Sequence, residues 1–183
     1  MGRAEVAKGT RIERDSRLKR LAHSIDALAR RDEHLVNHAR EIAALRRRAA
    51  VELHSICAEF VASLNRLLSR EAVVLDPPDF GDGAFREEGR NLLQINVRGR
   101  ILQVEFGGTP ELVSTEDFRI PYTMDGSVRA FNQELLDKDI IEEQLLYYTL
   151  EKEKKWWRFF DARTYRSGPF DQEYLVTLME QLI

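Results

Sequence analysis

Between Thr10 and Asp76 the chain contains neither glycine nor proline, and over most of that stretch its apolar residues recur at three- and four-residue spacing. Such a segment is committed to helix, because the two residues that interrupt helices are missing and side chains three and four apart share a face. One long amphipathic helix, or a pair of them, is therefore predicted to occupy over a third of the 183 residues. Unbroken from Thr10 to Ala72, it would be on the order of 95 Å long at about 1.5 Å per residue.

The apolar stripe changes character along the way. Leu18, Leu21, Ile25, Leu28, Leu35, Ala39 and Ile42 fall on one narrow line with the three-four alternation of a coiled coil. Asp32 occupies a position on that line, where it weakens or bends the seam. The step from Ile42 to Leu45 to Ala49 shifts the register as a three-residue stammer does. Beyond it, Leu53, Ile56, Cys57, Phe60, Val61, Leu64, Leu67 and Leu68 cover a wider face, as expected of a helix lying on a sheet. Residues 1–48 are thus read as a projecting basic helical arm, and residues 49–183 as a globular domain whose first helix spans 50–72. A bare apolar stripe needs cover. It pairs with a second copy, with another protein's helices, or with its own second half through a turn between Arg31 and Asn37, where Asp32 and Asn37 are the available turn formers.

After Ala72 the period changes from helical to alternating. Val73–Leu75 is a short apolar run closed by Asp76-Pro77-Pro78, and a polar glycine-bearing loop follows. Leu93, Ile95 and Val97 alternate with polar neighbours, as do Leu102, Val104 and Phe106, with Gly99 between them, which predicts a hairpin over 91–107 ended by Gly107-Gly108-Thr109-Pro110. A second hairpin is predicted to turn at Met124–Ser127, joining a strand near 118–122 to one near 128–131. FNQELLDKD reads as a short helix or an irregular link. A third hairpin pairs 144–150 with 156–160 across the charged run 151–155. Asp171 is a good N-cap for a closing helix over 171–183 with Tyr174, Leu175, Leu178, Met179 and Leu182 as its stripe. With all strands falling within 73–161, the fold class is α+β: a coiled-coil-like N-terminal arm, then an antiparallel sheet built from hairpins, with the C-terminal helix and the end of the arm on one sheet face.

Composition narrows the function classes. No apolar run approaches the length of a membrane span, the first residues lack the apolar stretch of a secretory signal, and Val6 stands where a myristoylation motif wants Ser or Thr. The single cysteine, Cys57, allows no internal disulfide and suits a reducing compartment, so a cytoplasmic protein without membrane contact is expected. Residues 1–72 carry 15 Lys and Arg against 10 Asp and Glu, whereas residues 73–183 carry 13 against 21. A basic helix attracts phosphate or an acidic surface, while an acidic domain repels nucleic acid.

Reaction chemistry finds few footholds. His23, His34, His38, His54 and Cys57 all lie in the helical stretch, so the strand region has neither imidazole nor thiol for a nucleophilic triad. His34, His38 and Glu41 could share a face as a partial zinc site, but a fourth ligand is missing. Glu153-Lys154-Lys155 falls in a hairpin turn rather than beside a second strand's acid, which argues against a metal-dependent nuclease. Gly81, Gly83 and Gly89 do not form a phosphate loop. No catalytic residue, metal ligand or cofactor is predicted.

Binding residues are easier to nominate. The stripe residues Leu18, Leu21, Ile25, Leu28, Leu35 and Ile42 are assigned to a protein partner or a homo-oligomer. A basic and aromatic set comprising Arg46, Arg47, Arg48, Lys155, Trp156, Trp157, Arg158 and Arg163 is assigned to a partner or, less favoured, to nucleic acid, because aromatics beside arginine serve both stacking on single strands and protein hot spots. Within 156–161, Trp156, Arg158 and Phe160 face one way and Trp157, Phe159 and Asp161 the other, so one set packs on the helices and the other needs separate cover. A non-enzymatic interaction or assembly module is the expected function, with a nucleic-acid-associated protein as the alternative.

Overall fold

The computed structural model describes the backbone of residues 2–113, 115, 118–138 and 142–183, and the side chains of these except 2–12, 111–113, 135 and 136. The chain is α+β, with a 66-residue helix α1 (Gly2–Leu67), strands β1 (Val73–Asp76), β2 (Asn91–Val97), β3 (Arg100–Val113) and β4 (Tyr122–Phe131), a short helix α2 (Gln133–Asp137), strands β5 (Glu142–Leu150), β6 (Lys155–Asp161) and β7 (Arg166–Pro169), and a closing helix α3 (Gln172–Leu182). By its internal contacts the chain divides into two compact units, Met1–Ile42 and Ala43–Ile183. Helix α1 is unbroken through residues 31–37, so the turn that would fold the first unit back on itself does not form. The helix stops at Leu67, five residues before the expected end. There Asn65 brackets the chain: its amide donates to the Val73 carbonyl at 2.8 Å and its carbonyl oxygen accepts from the Ala72 and Val73 N–H groups.

In the second unit the seven strands form one antiparallel sheet in sequence order, β1 to β7. Its edges are the two four-residue strands β1 and β7, short enough to offer little template for edge pairing. The β2–β3 hairpin forms as its alternation predicts, with Val97 opposite Arg100. Its two linking residues, Arg98 and Gly99, both have positive φ, and the Gly99 N–H donates to the Asn96 side chain. The hairpin of β5 and β6 also forms, pairing Leu150 with Lys155. Asp171 caps α3, accepting from the Tyr174 N–H at 3.0 Å.

Two expected turns are absent. Residues 107–110 do not end β3, which continues to Val113 with a register break between Gly108 and Val113. Residues 124–127 are not a turn either, but the middle of the single strand β4. Gly126 has another purpose there. A Cβ at that position would run into the Glu105 carbonyl and press on Phe106, so the glycine permits close approach of β3 and β4. Strand β7 lies beyond the span to which strands were assigned.

The core sits on one sheet face. Leu53, Cys57 and Phe60 of α1 and Leu175, Met179 and Leu182 of α3 join Leu93, Ile95, Leu102, Val104, Phe106, Met124, Leu146 and Trp157 in a single buried cluster. On the opposite face a smaller cluster forms where residues 118–121 fold over the sheet. There Phe118 stacks on Tyr147 with ring centres 4.4 Å apart, joined by Tyr122 and Phe160. Elsewhere that face carries ion pairs beside the exposed Val74 and Leu92: Arg90 bridges Glu105 at 2.9 Å and Asp125 at 2.6 Å, and Arg129 meets Glu143.

Candidate interaction surface

The first unit presents its stripe to solvent. Leu18, Leu21, Ile25, Leu28 and Leu35 are each 55–58% exposed, and Val36 beside them is 50% exposed. Such uniform values follow from geometry: α1 holds these side chains on one line, and its own neighbouring turns are all that shields them. Asp32 and Ala39, on the same line, are also exposed, and Ile42 is half-buried. Val36 escaped the three-four count because it sits one residue beyond Leu35, and it widens the stripe. Scattered apolar residues on a surface are ordinary; here six large ones lie in one file, broken at Asp32.

The basic and aromatic set is not brought together as a surface. Arg46 turns inward, with its side chain 14% exposed. Its Nε donates to the carbonyl and hydroxyl oxygens of Thr123, each at 3.1 Å, and its Nη2 donates to the Thr109 carbonyl. These carbonyls become available because the β3–β4 ladder breaks its register between Gly108 and Val113, and the guanidinium fork is shaped to bridge them. Glycine at 108 leaves room, since a Cβ there would lie 3.0 Å from the guanidinium. Glu87 supplies the counter-charge, 3.7 Å from Arg46 and 3.8 Å from Arg47. Arg46 is therefore engaged as a clamp on the protein's own main chain. Arg48 is exposed.

Trp157 must likewise be withdrawn from the contact set. It is 1% exposed, packs edge-on against Phe106, and its indole nitrogen donates to the Ala49 carbonyl at 2.7 Å. Trp156 lies on the other face, half-buried, donating to Glu151 at 2.9 Å beneath Lys154, whose ammonium is 3.7 Å from the ring centre. Arg158 binds the second Glu151 oxygen at 3.2 Å, so one carboxylate holds both residues and balances the local charge. Lys155 and Arg163 are exposed, with Arg163 3.7 Å from Asp161. Phe159, which shares a face with Trp157, stacks flat on Tyr174 of α3 at 3.9 Å.

The imidazole and thiol candidates divide in the same way. His23, His34, His38 and Glu41 are exposed on α1. His54 is buried, stacked on Phe80, with Nε2 2.9 Å from the Pro77 carbonyl. Cys57 is fully buried, and desolvation pushes its thiol up to about 12. Among the described residues, no three His, Cys, Asp or Glu side chains gather as a metal-binding group.

A cleft of about 390 Å³ between β6, β7 and α3 is lined by Phe159, Asp161, Arg166, Asp171 and Tyr174. Among the described residues the Tyr174 hydroxyl there is buried without a hydrogen-bond partner, and desolvation and then Asp161 raise its pKa. Asp161 itself is held low by the N–H of Arg163 and the hydroxyl of Thr164. A tyrosine so strongly protonated is a hydrogen-bond donor, not a base.

Among the described residues no helix is long and apolar enough to cross a membrane. Comparison with protein-family models, curated proteins and solved structures finds no match.

Proposed function

We propose that this protein is a non-enzymatic assembly or interaction module that associates with another protein chain through the exposed stripe of α1. The observation that carries this reading is the apolar file of Leu18, Leu21, Ile25, Leu28 and Leu35, widened by Val36 and broken at Asp32, with each of the six apolar side chains about half exposed. Helices in water draw most of their stability from packing an amphipathic face, so a stripe of this length on a helix without cover is matched to a complementary helix. Knobs from one helix then fill holes on the other. The α+β unit supplies the folded body from which this association is organised. Cys57 is sealed in the core, His54 is tied to Pro77 and Phe80, and Arg46 is held by Thr123, Thr109 and Glu87, so these side chains serve the fold.

The test is the molar mass of the full chain by light scattering behind size exclusion, beside a variant carrying Leu21→Glu, Ile25→Glu and Leu28→Glu. Association that depends on concentration and is abolished by the three charges is the expected result. An associated mass that the three charges leave unchanged removes the arm from the interface.

A further inference from the structure

The stripe of α1 also carries the information that selects its occupant. Extending the three-four line toward the N-terminus from Leu18 brings in Arg14, so that between residues 14 and 42 it reads Arg14, Leu18, Leu21, Ile25, Leu28, Asp32, Leu35, Ala39, Ile42. It is interrupted by one base and one acid. In heptad terms Leu18, Ile25, Asp32 and Ala39 take position a, and Arg14, Leu21, Leu28, Leu35 and Ile42 take position d.

We propose that the stripe is covered by the same stripe of a second copy of this chain, running antiparallel, with Asp32 of each copy against Arg14 of the other. This rests on the reading of α1 as the assembly element.

Charge complementarity carries the assignment. When two helices pair in parallel and in register, each seam position meets itself, so Asp32 would face Asp32 and Arg14 would face Arg14, two like-charge contacts in a dehydrated seam. Reversing one helix makes a positions face d positions. The single register that sets Asp32 against Arg14 of the second copy also sets Leu18 against Leu28 and Leu21 against Ile25, each contact occurring twice about a two-fold axis that crosses the seam between Leu21 and Ile25. Every a and d position from 14 to 32 then meets either an apolar partner or its opposite charge. Ala22 meets Ala22 and Ser24 meets Ser24 on the two flanks next to that axis, where small side chains let the backbones approach. Leu35 and Ile42 fall opposite the helical turns that precede Arg14. Arg17 and Arg31 of the second copy meet on the rim, where water and salt screen them.

Among the described residues, neither partner in the proposed pair is held by a short contact elsewhere. Asp32 is exposed, and the contact of Arg14 with Asp15 is 4.0 Å long between side chains 71% and 56% exposed, a surface pair worth little.

The experiment is a charge-swap cycle on the full chain, with the dimer dissociation constant read by sedimentation equilibrium. Far-ultraviolet circular dichroism and the emission of buried Trp157 confirm that each variant is folded. Asp32→Arg alone and Arg14→Asp alone each place like charges across the seam and should weaken the dimer about tenfold or more. Asp32→Arg combined with Arg14→Asp restores opposite charges only in the antiparallel register, and should bring the constant back to near that of the unmodified chain. A double variant no tighter than the single ones overturns the antiparallel pairing and leaves the arm as assembly element in place. An unmodified chain that stays monomeric up to submillimolar concentration overturns the second copy as occupant and points to a different protein's helix. A dimer indifferent to Leu21→Glu, Ile25→Glu and Leu28→Glu overturns both this pairing and the reading on which it rests.

Discussion

The indole nitrogen of Trp157 on β6 donates a hydrogen bond, 2.7 Å long, to the main-chain carbonyl of Ala49 on α1. A mid-helix carbonyl already accepts from within its own helix, so this bond uses its second lone pair and pins the helix to β6, the strand beside the β7 edge. The ring that makes it is also the largest fully buried side chain in the core. Trp157→Phe keeps part of the packing and loses both the bond and the extra volume. A loss of roughly 1–3 kcal/mol is expected, read as a lower urea midpoint at an unchanged slope. Retention of full stability would show that the bond contributes nothing.

Arg46 and Arg47 are adjacent and both approach Glu87, yet they should respond to mutation very differently. Arg46 satisfies two carbonyls exposed by the register break of β3 and β4, whereas Arg47 is 48% exposed and has only the carboxylate. Arg46→Ala removes the donor to the Thr109 and Thr123 carbonyls and the charge facing Glu87, and should cost about 2–4 kcal/mol. Arg47→Ala should fall within about 0.5 kcal/mol of the unmodified chain. Arg46→Lys should recover little, since a single ammonium cannot span both carbonyls. Equal effects at the two positions in chemical denaturation would contradict the clamp.

Cys57 should be inert in the folded protein. With its thiol pushed up to about 12 in the core, only about one molecule in ten thousand carries thiolate near pH 8. Modification by a disulfide reagent should therefore proceed at the rate at which the core opens, and accelerate abruptly in denaturant. Rapid stoichiometric labelling under native conditions would mean that the α1 packing is looser than described.

Alkaline pH should destabilise the second unit through Tyr148. Burial, with a smaller contribution from Glu52, lifts its pKa from 10.0 to about 12. The folded state thus holds this proton more tightly than the unfolded chain. The stabilisation is whole below about pH 10 and is lost as pH rises toward 12. Melting temperature followed across that window should fall, and Tyr148→Phe should flatten the fall. An identical profile for the variant would assign the loss to other groups.

Much of this architecture is legible in the sequence. The glycine- and proline-free stretch announces α1, the alternation around Arg98-Gly99 announces the β2–β3 hairpin, and Asp171 announces α3, because in each case a local pattern and the tertiary structure agree. Where they disagree, the local signal misleads. Gly107-Gly108-Thr109-Pro110 and Asp125-Gly126 have the chemistry of turns, but β3 runs past the first and β4 through the second, since close strand approach and room for Arg46 also require glycine. The four-residue strand Arg166–Pro169 is hidden by its own Gly-Pro. Arg46 and Trp157 have the residue types of a contact surface, and only the register break and the α1–sheet packing reveal that they serve the interior. The stripe of α1 was legible from its spacing, but the covering partner is not written into a single chain's contacts.

The most direct test of the arm as the assembly element compares sedimentation velocity of the full chain with that of a chain starting at Ala43, from low micromolar to submillimolar concentration. The full chain should sediment as a concentration-dependent oligomer, and the shortened one as a folded monomer throughout. The same association state for both would contradict the account and place any interface on the α+β unit.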